Sequence, residues 1–148
     1  TVPISWTTPE ASDPARLRIS SLEPWDIEAD FFGLWQDPRL CPHLHLPLQS
    51  GAKLVLRRMA RKTTPDTFSM LIAQARSAIP DVAITTDVIV GFPGEGEAEF
   101  EESLEFVRSM RFAGGHVFTI HRGRERQPRV IRIKYHPRFA ASGTPACV

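Results

Sequence analysis

The sequence predicts an α/β fold with a largely parallel sheet, and three observations carry that reading. Short apolar runs with strand periodicity alternate with stretches of helical periodicity along the chain. Residues 82–92 (VAITTDVIVGF) are almost continuously apolar and β-branched, as in a strand covered on both faces. The 148 residues, 42% of them hydrophobic, amount to one domain with enough apolar surface for a core. Strand–helix alternation repeated three times and closed by a strand implies right-handed parallel crossovers. Four strands cannot close a barrel, so the unit is either a small open sheet or part of a partial barrel.

The elements follow in order. The first fifteen residues carry three prolines and little periodicity, and predict an irregular lead-in. Leu17 and Ile19 alternate with Arg16, Arg18 and Ser20, a strand that Pro24 closes. Residues 26–36 predict a short helix with Asp26 as its N-cap and Asp37-Pro38 as its stop. His43 to Leu48 alternates again, with Leu44, Leu46 and Leu48 on one face and His43 and His45 on the other. A turn at Gln49-Ser50-Gly51 leads into a short helix around 53–59. Thr64-Pro65-Asp66 starts a helix whose buried stripe is Phe68, Leu71, Ile72 and Ala75, and Ile79-Pro80 ends it. A helix over 97–110 places Phe100, Leu104 and Val107 on one face. Gly114-Gly115 breaks it before a fourth strand at 116–120.

Charge divides the chain. The total is +1, yet residues 122–148 hold seven Lys and Arg against Glu125 alone. That tail carries +6 and leaves −5 for the rest, the pattern of a solvated end or of a basic segment that touches nucleic acid. No apolar run approaches the ~20 residues of a membrane span, so no membrane partner is expected and the expected compartment is the cytosol. Thr1 in place of Met suggests a piece of a longer chain. Cys41 and Cys147 lie outside any C-x-x-C pattern, which removes a disulfide framework and a four-cysteine metal site within this chain.

Ligands of an α/β sheet bind at the carboxyl ends of its parallel strands. Three such ends are polar or glycine-rich: 20–24, 47–51 and 91–96. The third is neither a dinucleotide fingerprint nor a lysine-bearing phosphate loop, so it reads first as a turn. Asp87 sits inside an apolar strand, where a carboxylate needs a partner or a ligand. Thr85, Asp87 and Ile89 share one face, expected to point into a lumen, with a structural arginine as the plainer partner for Asp87. His43-x-His45 offers two imidazoles on one face, but no carboxylate at ligand spacing joins them, so they read as polar residues inside a barrel. Cys41 precedes a strand and lacks an activating neighbour. The cluster Arg57, Arg58, Arg61 and Lys62 reads first as a solvated helix end, from which an arginine could reach a carboxylate at the sheet edge.

Taken together, RLRISSLEP (16–24), CPHLHLPLQSG (41–51), the step Met59–Arg61, TTDVIVGFPGE (85–95) and GHVFT (115–119) resemble the methylthiotransferase family of radical S-adenosylmethionine enzymes. The wording is most similar to the branch acting on threonylcarbamoyladenosine in tRNA. The resemblance covers about residues 16–120 and implies the carboxyl half of a (β/α)6 partial barrel, its third to sixth strands, with 122–148 as an atypical tail. It implies S-adenosylmethionine and two 4Fe-4S clusters as cofactors of the whole enzyme, and tRNA as partner through the adenosine next to the anticodon. The cluster cysteines are absent from this chain, so by resemblance it is inactive alone. The resemblance places Ser20, Ser21 and Glu23 on the rim near the adenosylmethionine, Gln49 and Ser50 by its ribose and methionine side, and Arg61 by its carboxylate. It places Asp87, Ile89 and Gly91 against the adenine. Gly96 stands where the family has a threonine, which costs a helix cap. Exposed sheet edges make self-association of such a segment an expectation. Two other readings remain open: a nucleic-acid-binding module acting through the tail, and a radical enzyme with another substrate.

Overall fold

The computed structural model describes residues 15–20, 22–28, 30–120 and 130–134, the last by backbone alone. Four strands form one sheet in the order β1-β2-β3-β4. They are β1 (His43–His45), β2 (Ala83–Val90), β3 (Gly114–Thr119) and β4 (Val130–Lys134). The first three are parallel and β4 runs antiparallel to β3. Helices α1 (Lys53–Arg58) and α2 (Pro65–Ala78) connect β1 to β2, and α3 (Glu97–Met110) connects β2 to β3. The parallel α/β expectation therefore holds through β3.

The core lies between the helices and one face of β1–β2. Leu44, Leu46 and Leu48 are buried against Phe68, Ile72 and Ala75 of α2, with Ile84 of β2 in the same cluster. Each such leucine withdrawn from water contributes about 1.5–3 kcal/mol. Helix α2 begins as its sequence predicts: Thr64 Oγ1 accepts from Thr67 N at 3.2 Å and Pro65 opens the first turn. Phe68 meets Phe112 edge to face, with centroids 6.1 Å apart, which ties α2 to the segment entering β3.

The structure departs from the sequence reading in five places. The strand at 16–20 shrinks to one parallel bridge between Leu17 and Leu40. Its next acceptor, Cys41 O, is already taken by Trp35 Nε1 at 2.8 Å and His43 N at 2.7 Å. Residues 26–36 form two separate 3₁₀ turns, Pro24–Asp26 and Phe31–Gln36, so Asp26 ends a turn instead of capping a helix. In α3 the buried residue is Ser103, while Phe100, Leu104 and Val107 are half-buried. Helix α3 is closed by Arg111 in the left-handed conformation, and Gly114-Gly115 open β3. A Cβ on Gly115 would lie 2.4 Å from Thr86 O, so the strand pairing itself demands glycine. Finally, residues 130–134 of the basic segment form β4. Ile131 and Ile133 alternate there with Arg132 and Lys134, a period of two that the charge obscured. The lead-in before Ala15 and the remainder of 121–148, with Cys147, lie outside the described residues.

Candidate functional site

The face of the sheet turned away from the helices is polar, and its side chains touch across the strands. Register places His45 beside Thr85 and Asp87 beside His116. Along β2, Ile84, Thr86 and Val88 are buried on the helix side, which leaves Thr85, Asp87 and Ile89 opposite. Asp87 Oδ2 lies 3.2 Å from His45 Nε2, and Oδ1 lies 3.0 Å from His116 Nδ1. A carboxylate only accepts, so both imidazole nitrogens must carry hydrogen. For a neutral His45, Nδ1 then accepts from the Thr85 hydroxyl at 3.0 Å. That oxygen in turn accepts from His43 Nε2 at 3.2 Å, and Arg18 Nε donates to His43 Nδ1 at 3.2 Å. The row thus runs from a guanidinium to a carboxylate through three side chains, with a third imidazole on the far side.

His43 is the buried member. Burial, then the charge of Arg18 and that of His45, hold its pKa down at about 4. The second guanidinium nitrogen of Arg18 also lies 2.8 Å from its Nε2, so cationic donors crowd the ring. His43 therefore stays neutral over the physiological range.

At the carboxyl end of β1 the chain carries a bulge. Leu46 N bonds Thr85 O at 2.9 Å, but Gln49 pairs with Val88, so three residues of this strand span two of β2. Pro47 has no N–H to offer the ladder. Thr86 fills in, its Oγ1 donating to Leu46 O at 2.8 Å and accepting from Leu48 N at 3.1 Å. Gln49 leaves the bulge with φ +72°. Ser50 is fully buried; its Oγ accepts from Ala52 N at 3.1 Å and lies beside Ser103 of α3. Gly51 N donates to Ser103 Oγ at 2.8 Å, and a Cβ there would meet Phe106 Cβ at 2.7 Å.

After β2 the chain turns through Gly91, at φ +78°. Glu95 folds back into this turn, its Oε2 accepting from Gly91 N and Phe92 N, while Oε1 is buried with no partner among the described residues. Gly96 supplies no side-chain cap, but Glu99 Oε2 accepts from Gly96 N at 2.7 Å. That bond, with help from Arg58, lowers the pKa of Glu99. Arg58 is committed to Glu99 at 3.2 Å and to Gly94 O at 2.8 Å. On the rim, Arg61 Nη1 lies 3.2 Å from Glu23 Oε2, and its guanidinium sits over the Trp25 ring.

The structure thus brings together Asp87, His45 and His116, and separately Glu23 and Arg61. Ser20 is exposed on the chain before Glu23, Ile89 pairs in register with Phe118, and Ser21 lies outside the described residues. Ser50 joins neither group. The partner of Asp87 is a pair of histidines, not an arginine. Sequence reasoning passed over His116, which only the strand register brings to Asp87, and Arg18, which reaches the row through His43. It also passed over the bulge, for which Pro47 inside an alternating run was the available signal.

Among the described residues no group of three or more His, Cys, Asp or Glu is disposed to hold a metal ion, and Cys41 is buried. No helix among them is long and apolar enough to cross a membrane.

Residues 22–107 match the family model described as the radical SAM superfamily. Over 132 residues the chain is 45% identical to a tRNA-2-methylthio-N(6)-dimethylallyladenosine synthase of Parafrankia, covering 88% of this chain and 23% of the relative. It is 49% identical over 104 residues to the protein of that name from Acidothermus cellulolyticus, covering 70% and 21%. It is 44% identical over 104 residues to the threonylcarbamoyladenosine tRNA methylthiotransferase MtaB of Thermotoga maritima, covering 70% and 24%. The chain thus spans less than a quarter of the length of these curated relatives. Among solved structures, coproporphyrinogen III oxidase from Escherichia coli superimposes with a TM-score of 0.59 at 22% identity, over 70% of this chain and 23% of that one. That likeness concerns the fold, and it supports a part of a barrel. The chain belongs to the radical SAM superfamily, within its tRNA methylthiotransferase family.

Proposed function

We propose that this chain is the carboxyl half of the catalytic barrel of a tRNA methylthiotransferase. The 88% coverage of the chain at 45% identity by such an enzyme carries the reading. The whole protein would add a methylthio group to C2 of an N6-modified adenosine next to the anticodon, in the cytoplasm. The RISSLEP, HLHLPLQSG and HVF segments favour N6-threonylcarbamoyladenosine, although relatives named for the dimethylallyl nucleoside match as well.

S-adenosylmethionine fits the donor set. Glu23 and Arg61 stand side by side on the rim, an acceptor for an ammonium and a donor fork for a carboxylate. Among the described residues only one guanidinium nitrogen of Arg61 is spent on Glu23, which leaves donors for the α-carboxylate of the methionyl moiety. Gln49 and the turn at Gly91 border the same edge. The cofactor, when bound, supplies the radical precursor and the methyl group. An iron–sulfur cluster does not fit the described residues, since no converging ligand set exists among them. The two 4Fe-4S clusters of this reading belong to the rest of the protein, and the segment alone is expected to be inactive.

Mass spectrometry of tRNA nucleosides, with and without the gene, tests the reading. Selective loss of the methylthio form of threonylcarbamoyladenosine is expected; loss of the dimethylallyl form would reassign the substrate. Unchanged nucleosides would overturn the proposal in favour of a radical enzyme with another substrate. In the full-length protein, Arg61→Ala should weaken adenosylmethionine binding more than Lys62→Ala, although both cations flank Trp25.

A further inference from the structure

The polar face contains three imidazoles, and their nitrogens are not equally engaged. His43 spends its nitrogens on Arg18 and Thr85, and His45 spends its own on Thr85 and Asp87. His116 spends Nδ1 on Asp87 Oδ1, and its Nε2 has no partner among the described residues. Its side chain is 37% exposed, on the polar face that carries Asp87. Because the carboxylate forces hydrogen onto Nδ1, a neutral His116 must present a bare lone pair at Nε2. Two residues along β3, the Phe118 ring lies 6.3 Å from the imidazole, and Ile89 pairs with Phe118 in register. A polar step, Asp87–His116, is thus followed by an apolar one, Ile89–Phe118. Arg132 of β4 occupies the register position opposite His116.

An acceptor next to an aromatic ring suits a flat heterocycle with an N–H edge. We propose that His116 is a ligand-contacting residue whose Nε2 accepts a hydrogen bond from the amine edge of an adenine in the lumen. Asp87 is its positioning residue, holding the ring in the Nδ1–H tautomer. The choice of adenine rests on the methylthiotransferase reading, in which both the adenosylmethionine and the target nucleoside carry that group. On this account Asp87 acts through His116, whose ring it orients.

The test uses the full-length protein containing this segment. Nitrogen-15 NMR of labelled histidines at pH 8 reports the tautomer. The His116 signals are assigned by their loss in His116→Asn. The expected result is Nδ1–H with a bare Nε2 in the unaltered protein, and a shift of population towards Nε2–H in Asp87→Asn. Adding adenosylmethionine in one arm, and an anticodon stem-loop RNA in the other, should move the Nε2 resonance in the arm that supplies the adenine. His116→Asn, which can keep a donor to Asp87 but lacks Nε2, should weaken that same ligand by about three- to tenfold. An Nε2–H tautomer in the unaltered protein would overturn the proposal. So would an Nε2 resonance that moves with neither ligand, or unchanged affinity in His116→Asn. Unchanged tRNA nucleosides in the gene deletion would refute the methylthiotransferase reading instead, and leave the tautomer result standing.

Discussion

The two faces of the β1–β2 pair are built by different physics. The helix side holds Leu44, Leu46, Leu48 and Ile84, nearly or fully inaccessible and packed on α2. The lumen side holds Arg18, His43, Thr85, His45, Asp87 and His116, joined by directional contacts at 3.0–3.2 Å. The first face tolerates any apolar residue of suitable volume, because burial is non-directional. The second depends on each donor finding its acceptor, so one altered member disturbs its neighbours. Stability therefore concentrates on the helix side, and the proposed ligand contact lies on the polar side.

Substitutions can break that contrast. The largest effect should come from Leu46→Ala, which empties a fully buried site between β1 and α2. A loss of about 2–5 kcal/mol is expected in denaturant unfolding. A loss below about 1 kcal/mol would mean the core collapses into the space. Asp87→Ala should cost less, about 1–3 kcal/mol, because it strands the N–H groups of His45 and His116 where they are only partly screened from water. If it cost as much as the leucine, the polar row would be a structural keystone, and the division between the faces would fail.

The smallest effect concerns pH. His43 has a folded pKa of about 4, below the ordinary value near 6.5. As pH falls from 6.5 towards 4, the unfolded chain takes up a proton that the folded chain refuses, so stability must fall across that window. The slope from this residue is at most about 1.4 kcal/mol per pH unit. Thermal melts from pH 7 to 4 should show it, and His43→Gln should flatten the curve. An identical slope in that variant would assign the acid sensitivity to other groups.

Much of this was legible in the residues themselves. Thr64-Pro65-Asp66 specified the start of α2 because capping is local, and the apolar period specified its buried stripe. The strand at 82–92 declared itself by β-branching, and its alternation already placed Thr85, Asp87 and Ile89 on one face. That an arginine of the cluster at 57–62 could reach a carboxylate at the sheet edge was also legible, although the pairing of Arg61 with Glu23 was not. Local signals misled where competition for a single acceptor decided the outcome. Leu17 and Ile19 alternate like a strand, yet Trp35 and His43 occupy the carbonyl that would extend the ladder.

The sequence by itself determined the α/β class, the helices α1, α2 and α3, the burial of the leucine face and the family, since these depend on periodicity, caps and wording within short windows. Tertiary structure alone decided what Asp87 touches. Its partners stand 42 residues before it and 29 after it, and are brought together by strand register, which no local pattern encodes. Tertiary structure likewise turned Ser50 towards α3 and kept Asp87 beside two imidazoles. Directional contacts between distant residues exist only once the sheet has formed, whereas burial preferences are already present in the chain.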